Sequence, residues 1–180
     1  MSITVLVGNP RPQSRTATAA LTAARHVAGA LGLPGDPELV ELAPLAPSLL
    51  LPGPPAEVAA ALEQVSRAEL LVVASPTYKA TYTGLLKVFL DLLPSGALAG
   101  ATALPLLVMG SAAHTLAVEV HLRPLLVELG AHVPSPGLAV LHDTVPRDGS
   151  ASPELDSVVA SWTAQVAPHI RARHHSRTAV

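Results

Sequence analysis

The 180-residue sequence predicts an α/β fold in which a parallel sheet carries helices on both faces. Strand-like and helix-like stretches alternate five times along the chain, the order that βαβ units produce. The run LLVVAS at 70–75 is apolar throughout most of its length, as a central parallel strand covered on both sides requires. A chain of 18.4 kDa matches one domain with its own hydrophobic core. Residues 1–172 are expected to form that domain and residues 173–180 a disordered tail.

Taken in order, ITVLV at 3–7 reads as a buried first strand, followed by a loop rich in Gly, Pro, Arg and Ser and then a helix from Ser14 to Leu31. The second strand lies near LVEL at 39–42. Residues 43–55, APLAPSLLLPGPP, hold too many prolines for regular structure and too many leucines for a free linker. Such a loop is usually functional or covered by a partner. A helix over 56–67 leads into the central strand, which Pro76 stops. The next helix, LLKVFLDLL at 85–93, is interrupted only by Lys87 and Asp91, so it is either buried all round or placed in a subunit interface. The fourth strand lies near 104–110, with Pro105 expected at its first residue or at a bulge because proline cannot donate to a central ladder. A helix opened by GSAAH (110–114) runs to about Leu129 with a kink at Pro124. The fifth strand falls within 132–141, and a last helix covers 153–173.

Composition narrows the function. A net charge of -2 and a pI near 6.4 provide no basic field for nucleic acid. The longest apolar runs are strand-sized, so no membrane partner is expected, and MSITVLVG lacks the charged start of a signal peptide, which points to the cytoplasm. Without cysteine there is no disulfide, iron–sulfur cluster or thiol nucleophile, so any redox chemistry is borrowed from a cofactor.

In an open parallel sheet the ligand crevice lies at the carboxyl ends of the strands, and three loops occupy such ends here. The first, GNPRPQSRTAT at 8–18, departs from both the GxxxxGK[ST] and GxGxxG patterns. It gathers Ser14, Arg15, Thr16 and Thr18 at a helix N-terminus, where free N–H groups and the helix dipole favour an anion, and hydroxyls with a guanidinium suit a phosphate monoester. Ser14 as a plain N-cap and Arg15 as a solvated charge is the competing reading. The second, SPTYKATYTG at 75–84, holds the chain's only two tyrosines, Tyr78 and Tyr82, in a protein with one Phe and one Trp besides. Rings that merely anchor a loop are one explanation; a flat aromatic ligand explains their clustering better. The third, GSAAH, brings His114 to a strand end, either as a cap residue or facing the same crevice.

Together GNPRPQSRT, SPTYKATYTGLLKVFLDLLPSGALAGATALPLL and GSAAHTLAVEVHLRPLLVELGA resemble the NADPH-dependent FMN reductase family, in the branch that supplies reduced FMN to alkanesulfonate monooxygenases. The resemblance implies a flavodoxin-like three-layer sandwich with strand order 2-1-3-4-5, and it implies the proline inside the fourth strand and the one inside the following helix. By position it makes Ser14, Arg15 and Thr16 phosphate binders, with Asn9 and Arg11 in the same loop. Pro76, Thr77, Tyr78 and Lys79 border the isoalloxazine and ribityl, Gly110 and Ser111 form the opposite wall with His114 beyond, and Tyr82 lies in the pocket or at a neighbouring subunit. Asn9 stands where a serine is usual, and Val120, followed by His121, stands where this branch often has an aromatic residue. The implied cofactors are FMN and NADPH, with NADH possible, although Arg11 or Arg15 is available to the 2′-phosphate of NADPH. The implied partners are further copies of the chain in a homodimer or homotetramer, and a flavin-dependent monooxygenase as recipient of reduced FMN.

Hydride transfer from a nicotinamide to a flavin needs alignment rather than a protein acid, base or metal, which agrees with the lack of a catalytic triad. Lys79 is the candidate to stabilise reduced flavin electrostatically. Two alternatives stay open: an FMN-bound reductase of quinones or azo dyes, and a flavodoxin-type electron carrier, against which the near-neutral charge counts.

Overall fold

In the computed structural model, which describes residues 1–147, 149–150 and 152–178, five strands form one parallel sheet in the order β2-β1-β3-β4-β5. They are β1 (Ile3–Val7), β2 (Glu38–Glu41), β3 (Leu70–Pro76), β4 (Thr102–Met109) and β5 (Leu138–Leu141). The helices are α1 (Arg15–Leu31), α2 (Ala56–Arg67), α3 (Gly84–Asp91), α4 (Arg123–Glu128) and α5 (Pro153–Thr178). Two apolar cores lie on opposite faces of the sheet. Val5, Val7, Val72 and Ala74 pack with α1 and α5 on one side, while Leu6, Leu71 and Val73 pack with α2, α3 and α4 on the other. β1 and β3 are buried along their whole lengths, which explains runs that are apolar rather than alternating.

Small residues shape the α1 side. α1 buries Ala17, Ala19, Ala20, Ala23, Ala24, Val27 and Ala28, a face with almost no side-chain bulk, and so lies close on β1 and β3. Ser14 caps its start by accepting from the Ala17 N–H, and Gly32 closes it in the left-handed conformation (φ 68°). α3 buries Leu86, Phe89 and Leu90 on one face, so it is not enclosed all round within this chain. The 43–55 segment contains one 3₁₀ turn, Ala46–Ser48; it buries Leu49 and leaves Leu50 82% exposed. α5 continues past the helix end expected at Arg173 to Thr178, with no proline or glycine after Pro168 to stop it. Residues 179–180 lie outside the described residues. Among the described residues no helix is long and apolar enough to cross a membrane.

Pro105 occupies the fourth position of β4, opposite Val73, and not its first residue or a bulge. Thr102 donates to Glu69 (2.8 Å) on the β3 side and Ala103 to His132 (2.8 Å) on the other, so alternate residues of β4 turn their backbone groups to opposite neighbours. By that alternation the Pro105 nitrogen faces away from β3. On that side the ladder with β5 starts only at Leu106 opposite Leu138. The missing donor falls between the His132 bridge and β5, where it costs no ladder bond.

Pro124 is absorbed in a similar way. Its ring would collide with the carbonyl four residues earlier in a regular helix, and the turn before it, Val118–Leu122, widens to a π-helix. That turn carries a clasp. The Arg123 guanidinium donates to both Glu119 carboxylate oxygens and to the carbonyls of Val133 and Pro134. Glu119 also accepts from the Gly137 N–H (2.6 Å). A side chain at Gly137 would meet Val118 at 2.7 Å and Pro105 at 3.1 Å, so glycine is what lets the chain pass there into β5.

The Arg123 hydrogen bond, helped by the Gly137 N–H and opposed by burial, holds the Glu119 carboxyl below its ordinary 4.5. A carboxyl depressed on folding contributes stability that is fully present above the unfolded value and lost as pH falls through the folded one. Wild type is therefore expected to exceed Glu119→Gln in stability by about 1 kcal/mol at neutral pH, with the gap closing as pH drops below 4.5. Urea midpoints of both proteins between pH 7 and 3 measure it; a gap independent of pH would refute the assignment.

Candidate functional site

The loops that follow β1, β3, β4 and β5 converge at the carboxyl edge of the sheet around a cavity of about 430 Å³, a size suited to a small organic ligand. It opens where the order 2-1-3 reverses the direction of winding, the position at which open α/β sheets bind ligands.

The loop after β1 supplies the floor. Asn9, 7% exposed, donates from Nδ2 to the Thr16 hydroxyl (3.0 Å) and accepts from the Arg11 N–H (2.9 Å) on Oδ1. Because the Thr16 oxygen accepts from Asn9, its proton is left for an acceptor in the cavity. The Ser14 hydroxyl oxygen accepts the α1 cap bond from the Ala17 N–H (3.3 Å), and Ser14 also lines the cavity. Gln13 sits in the left-handed region (φ 51°) with its N–H donated to Glu41 (2.9 Å). Arg15 lines the cavity with its Nε buried and unpartnered, and the hydroxyl of Thr77, also in the lining, is likewise buried and unpartnered. Buried polar atoms are almost always satisfied, so these two atoms are candidates for bonds to a ligand.

This floor is tied to the loop after β3. The Thr83 hydroxyl donates to the Gly8 carbonyl and accepts from the Leu86 N–H (3.1 Å), while the Thr83 N–H donates to Ser75 (2.9 Å). A Cβ on Gly8 would lie 2.5 Å from the Leu86 Cβ, so only glycine allows the approach. Between Ser75 and Thr83 the chain makes a tight turn. Tyr78 and Thr81 exchange backbone bonds (2.9 and 3.3 Å), with Lys79 (φ 51°) and Ala80 (φ 67°) both left-handed, the pattern of a type I′ turn.

The structure thus brings Asn9, Arg11, Ser14, Arg15, Thr16, Pro76, Thr77, Tyr78 and Gly110 to one cavity. It sets four expected residues apart from the lining. Lys79 is exposed at the tip of the turn. Tyr82 packs half-buried against the α2–α4 core. Ser111 caps the 3₁₀ turn Ala112–His114 by accepting from the Ala113 N–H (3.3 Å), and His114 holds a buried, unpartnered Nδ1 away from the cavity.

Sequence reasoning missed Pro12, Gln13, Val108, His142 and Arg147. His142 and Arg147 follow β5, a strand end as much as the other three; the polar stretch HDTVPRD was the available signal. His142 stands beside Gly110, with Nδ1 3.4 Å from the Met109 carbonyl and Nε2 3.0 Å from Asp143. Among the described residues the cavity is lined by Arg11, Arg15 and Arg147 and by no carboxylate, a lining that favours an anion. It holds no nucleophile paired with a base, and no metal-binding cluster occurs among the described residues.

The sequence model of the family described as NADPH-dependent FMN reductase matches residues 1–145. The FMN reductase (NADPH) of Escherichia coli strain K12 is 52% identical over 69 residues, 38% of this chain and 36% of that protein. The NADH-dependent FMN reductase SfnE of Pseudomonas putida is 35% identical over 129 residues, 69% of this chain and 68% of that one. The chain spans 36%, 34% and 52% of the length of the first curated relatives it matches. Among solved structures, the apo form of the NADH:FMN oxidoreductase EMOB aligns with a TM-score of 0.74 at 34% identity, covering 91% of this chain and 88% of that one. An oxidoreductase from Corynebacterium diphtheriae aligns at 0.78 and 28% identity, covering 96% and 98%.

The Lys79–Ala80 turn generates a test of its own. Alanine in the left-handed region costs about 1–2 kcal/mol, and glycine is the residue a type I′ turn prefers there. Ala80→Gly is expected to raise unfolding stability by about 0.5–1 kcal/mol after the entropy of the unfolded glycine is set against that gain. Chemical denaturation measures it; a loss of stability would mean that the turn is not left-handed at residue 80.

Proposed function

Because the chain belongs to the NADPH-dependent FMN reductase family, we propose that it reduces FMN with NADPH or NADH and releases reduced FMN to a separate flavin-dependent monooxygenase of the sulfonate-using kind. FMN, when bound, supplies the acceptor for a hydride from the nicotinamide. The observation that carries this reading is the pair of unpartnered buried donors, Arg15 Nε and Thr77 Oγ1, in a cavity whose charged side chains among the described residues are arginines.

The residues present fit the ligand. Arg15, the Thr16 hydroxyl that Asn9 orients, and the free N–H groups of α1 hold the phosphate monoester, with Arg11 at its rim. Thr77 and the Tyr78 ring border the flat ring system, and Gly110 leaves the opposite wall open to it. Lys79, Tyr82, Ser111 and His114 lie outside the lining and take no part in this assignment. Exposed apolar side chains at Leu50, Leu51, Leu116, Val120 and Val127 support a homodimer or homotetramer, and dependence on reduced nicotinamide suits the cytoplasm.

Protein purified without added flavin is expected to oxidise NADPH anaerobically in proportion to added FMN, far beyond one equivalent. Oxidation that stops after about one equivalent would make FMN a held group serving a quinone or azo acceptor, and none at all would leave an electron carrier. Arg15→Ala is expected to weaken FMN binding about ten- to a hundredfold, the loss of roughly 1.5–3 kcal/mol for a hydrogen bond to a charged group. A fluorescence titration with unchanged affinity would remove Arg15 from the phosphate site.

A further inference from the structure

A second cleft of about 480 Å³ adjoins the first, and the two share Gln13 and Arg147 in their walls. It exists because β2 is an edge strand. Val40 faces the α2–α4 core, so Leu39 and Glu41 turn to the other face, where α1 covers β1 but leaves the edge open. Leu39, 40% exposed on the strand, and Leu21 on α1 form apolar sides. Glu41 is fixed between the clefts: its Oε1 accepts the Gln13 N–H at 2.9 Å, and its Oε2 has no partner among the described residues. No part of the FMN assignment uses Leu21, Leu39 or Glu41.

Resting on the flavin-reductase reading, we propose that this cleft takes the adenosine half of the pyridine nucleotide and that Glu41 makes it select NADH over NADPH. A nicotinamide seated beside a flavin in the first cavity has a diphosphate and an adenosine that must leave by an open edge. Arg147, common to both clefts, stands where the diphosphate crosses, and the two leucines offer an apolar slot for the base. A carboxylate in that cleft accepts from the ribose 2′-hydroxyl of NADH and repels the 2′-phosphate of NADPH through its charge. Arg147 does not cancel this, because it is exposed on a flexible stem whereas Glu41 is held by a backbone bond.

Calorimetric titration of the full chain with ADP-ribose and with 2′-phospho-ADP-ribose reads the cleft without any turnover. Wild type is expected to bind ADP-ribose about tenfold more tightly than the 2′-phosphorylated form, the scale of one surface charge interaction. Glu41→Gln keeps an oxygen for the Gln13 N–H and removes the charge, so it is expected to abolish that preference and to bring the KM values for NADPH and NADH together. A preference unchanged in Glu41→Gln, or wild type that binds neither probe while still reducing FMN with NADH, would overturn the proposal and leave the reductase reading standing. Failure to oxidise either nucleotide in the presence of FMN would strike the reductase reading instead.

Discussion

The close approach of Gly8 to Leu86 is the constraint on which the site depends. The first residue after β1 and the first turn of α3 come within a distance that no side chain at residue 8 would permit. Thr83 makes the approach favourable as well as allowed, because its hydroxyl both donates to Gly8 and accepts from Leu86. Buried and fully used, that hydroxyl joins the anion-binding floor to the aromatic wall as one rigid unit. The strain at residues 79 and 80 follows from the same tie. With Ser75 and Thr83 hydrogen-bonded, the seven residues between them must reverse direction tightly, and the reversal puts two ordinary residues in a conformation suited to glycine.

The scarcity of aromatic residues has a matching structural sense. The alanine face of α1 brings that helix close to the sheet, and a ring on that face would hold it away. Withdrawal of α1 would carry the N-terminal N–H groups of the helix, and with them Arg15 and Thr16, away from the loop after β3. The buried face of α1 thus carries no ring, Phe89 and Trp162 fill the core on other elements, and Tyr78 stands exposed in the cavity wall.

Element order and the three loops were legible in the sequence because each rests on local signals: unbroken apolar runs, a cap at Ser14, a tyrosine pair between Pro76 and Gly84. What was not legible depends on neighbours far along the chain. Pro105 breaks the rule for central strands only because β5 begins late and His132 pairs early, a matter of register that no window around residue 105 reveals. Pro124 announced a kink; the π turn that absorbs it, and the use of that turn to clasp 133–137, required the partners. Tyr82 reads like Tyr78 in sequence, yet the reversal at 79–80 sends it to the opposite side, against the α2–α4 core. The wall after β5 was missed for a different reason: His142 and Arg147 belong to no motif, and only the convergence of strand ends gathers them.

Burial divides the site into two parts with different tasks. Asn9, Thr16, Ser75 and Thr83 are all buried and hydrogen-bonded among themselves or to backbone, so the floor is already ordered before a ligand arrives. Arg11, Tyr78, Gly110 and Arg147 are exposed, and their ordering falls on the binding step. Ordering each long side chain on binding costs about 0.5–1.5 kcal/mol, so a site with an exposed wall holds its ligand less tightly than its contacts alone imply. Under the function proposed above, that division serves the reaction: the rigid floor would fix where a phosphate sits, and the open wall would limit how firmly a ring is kept.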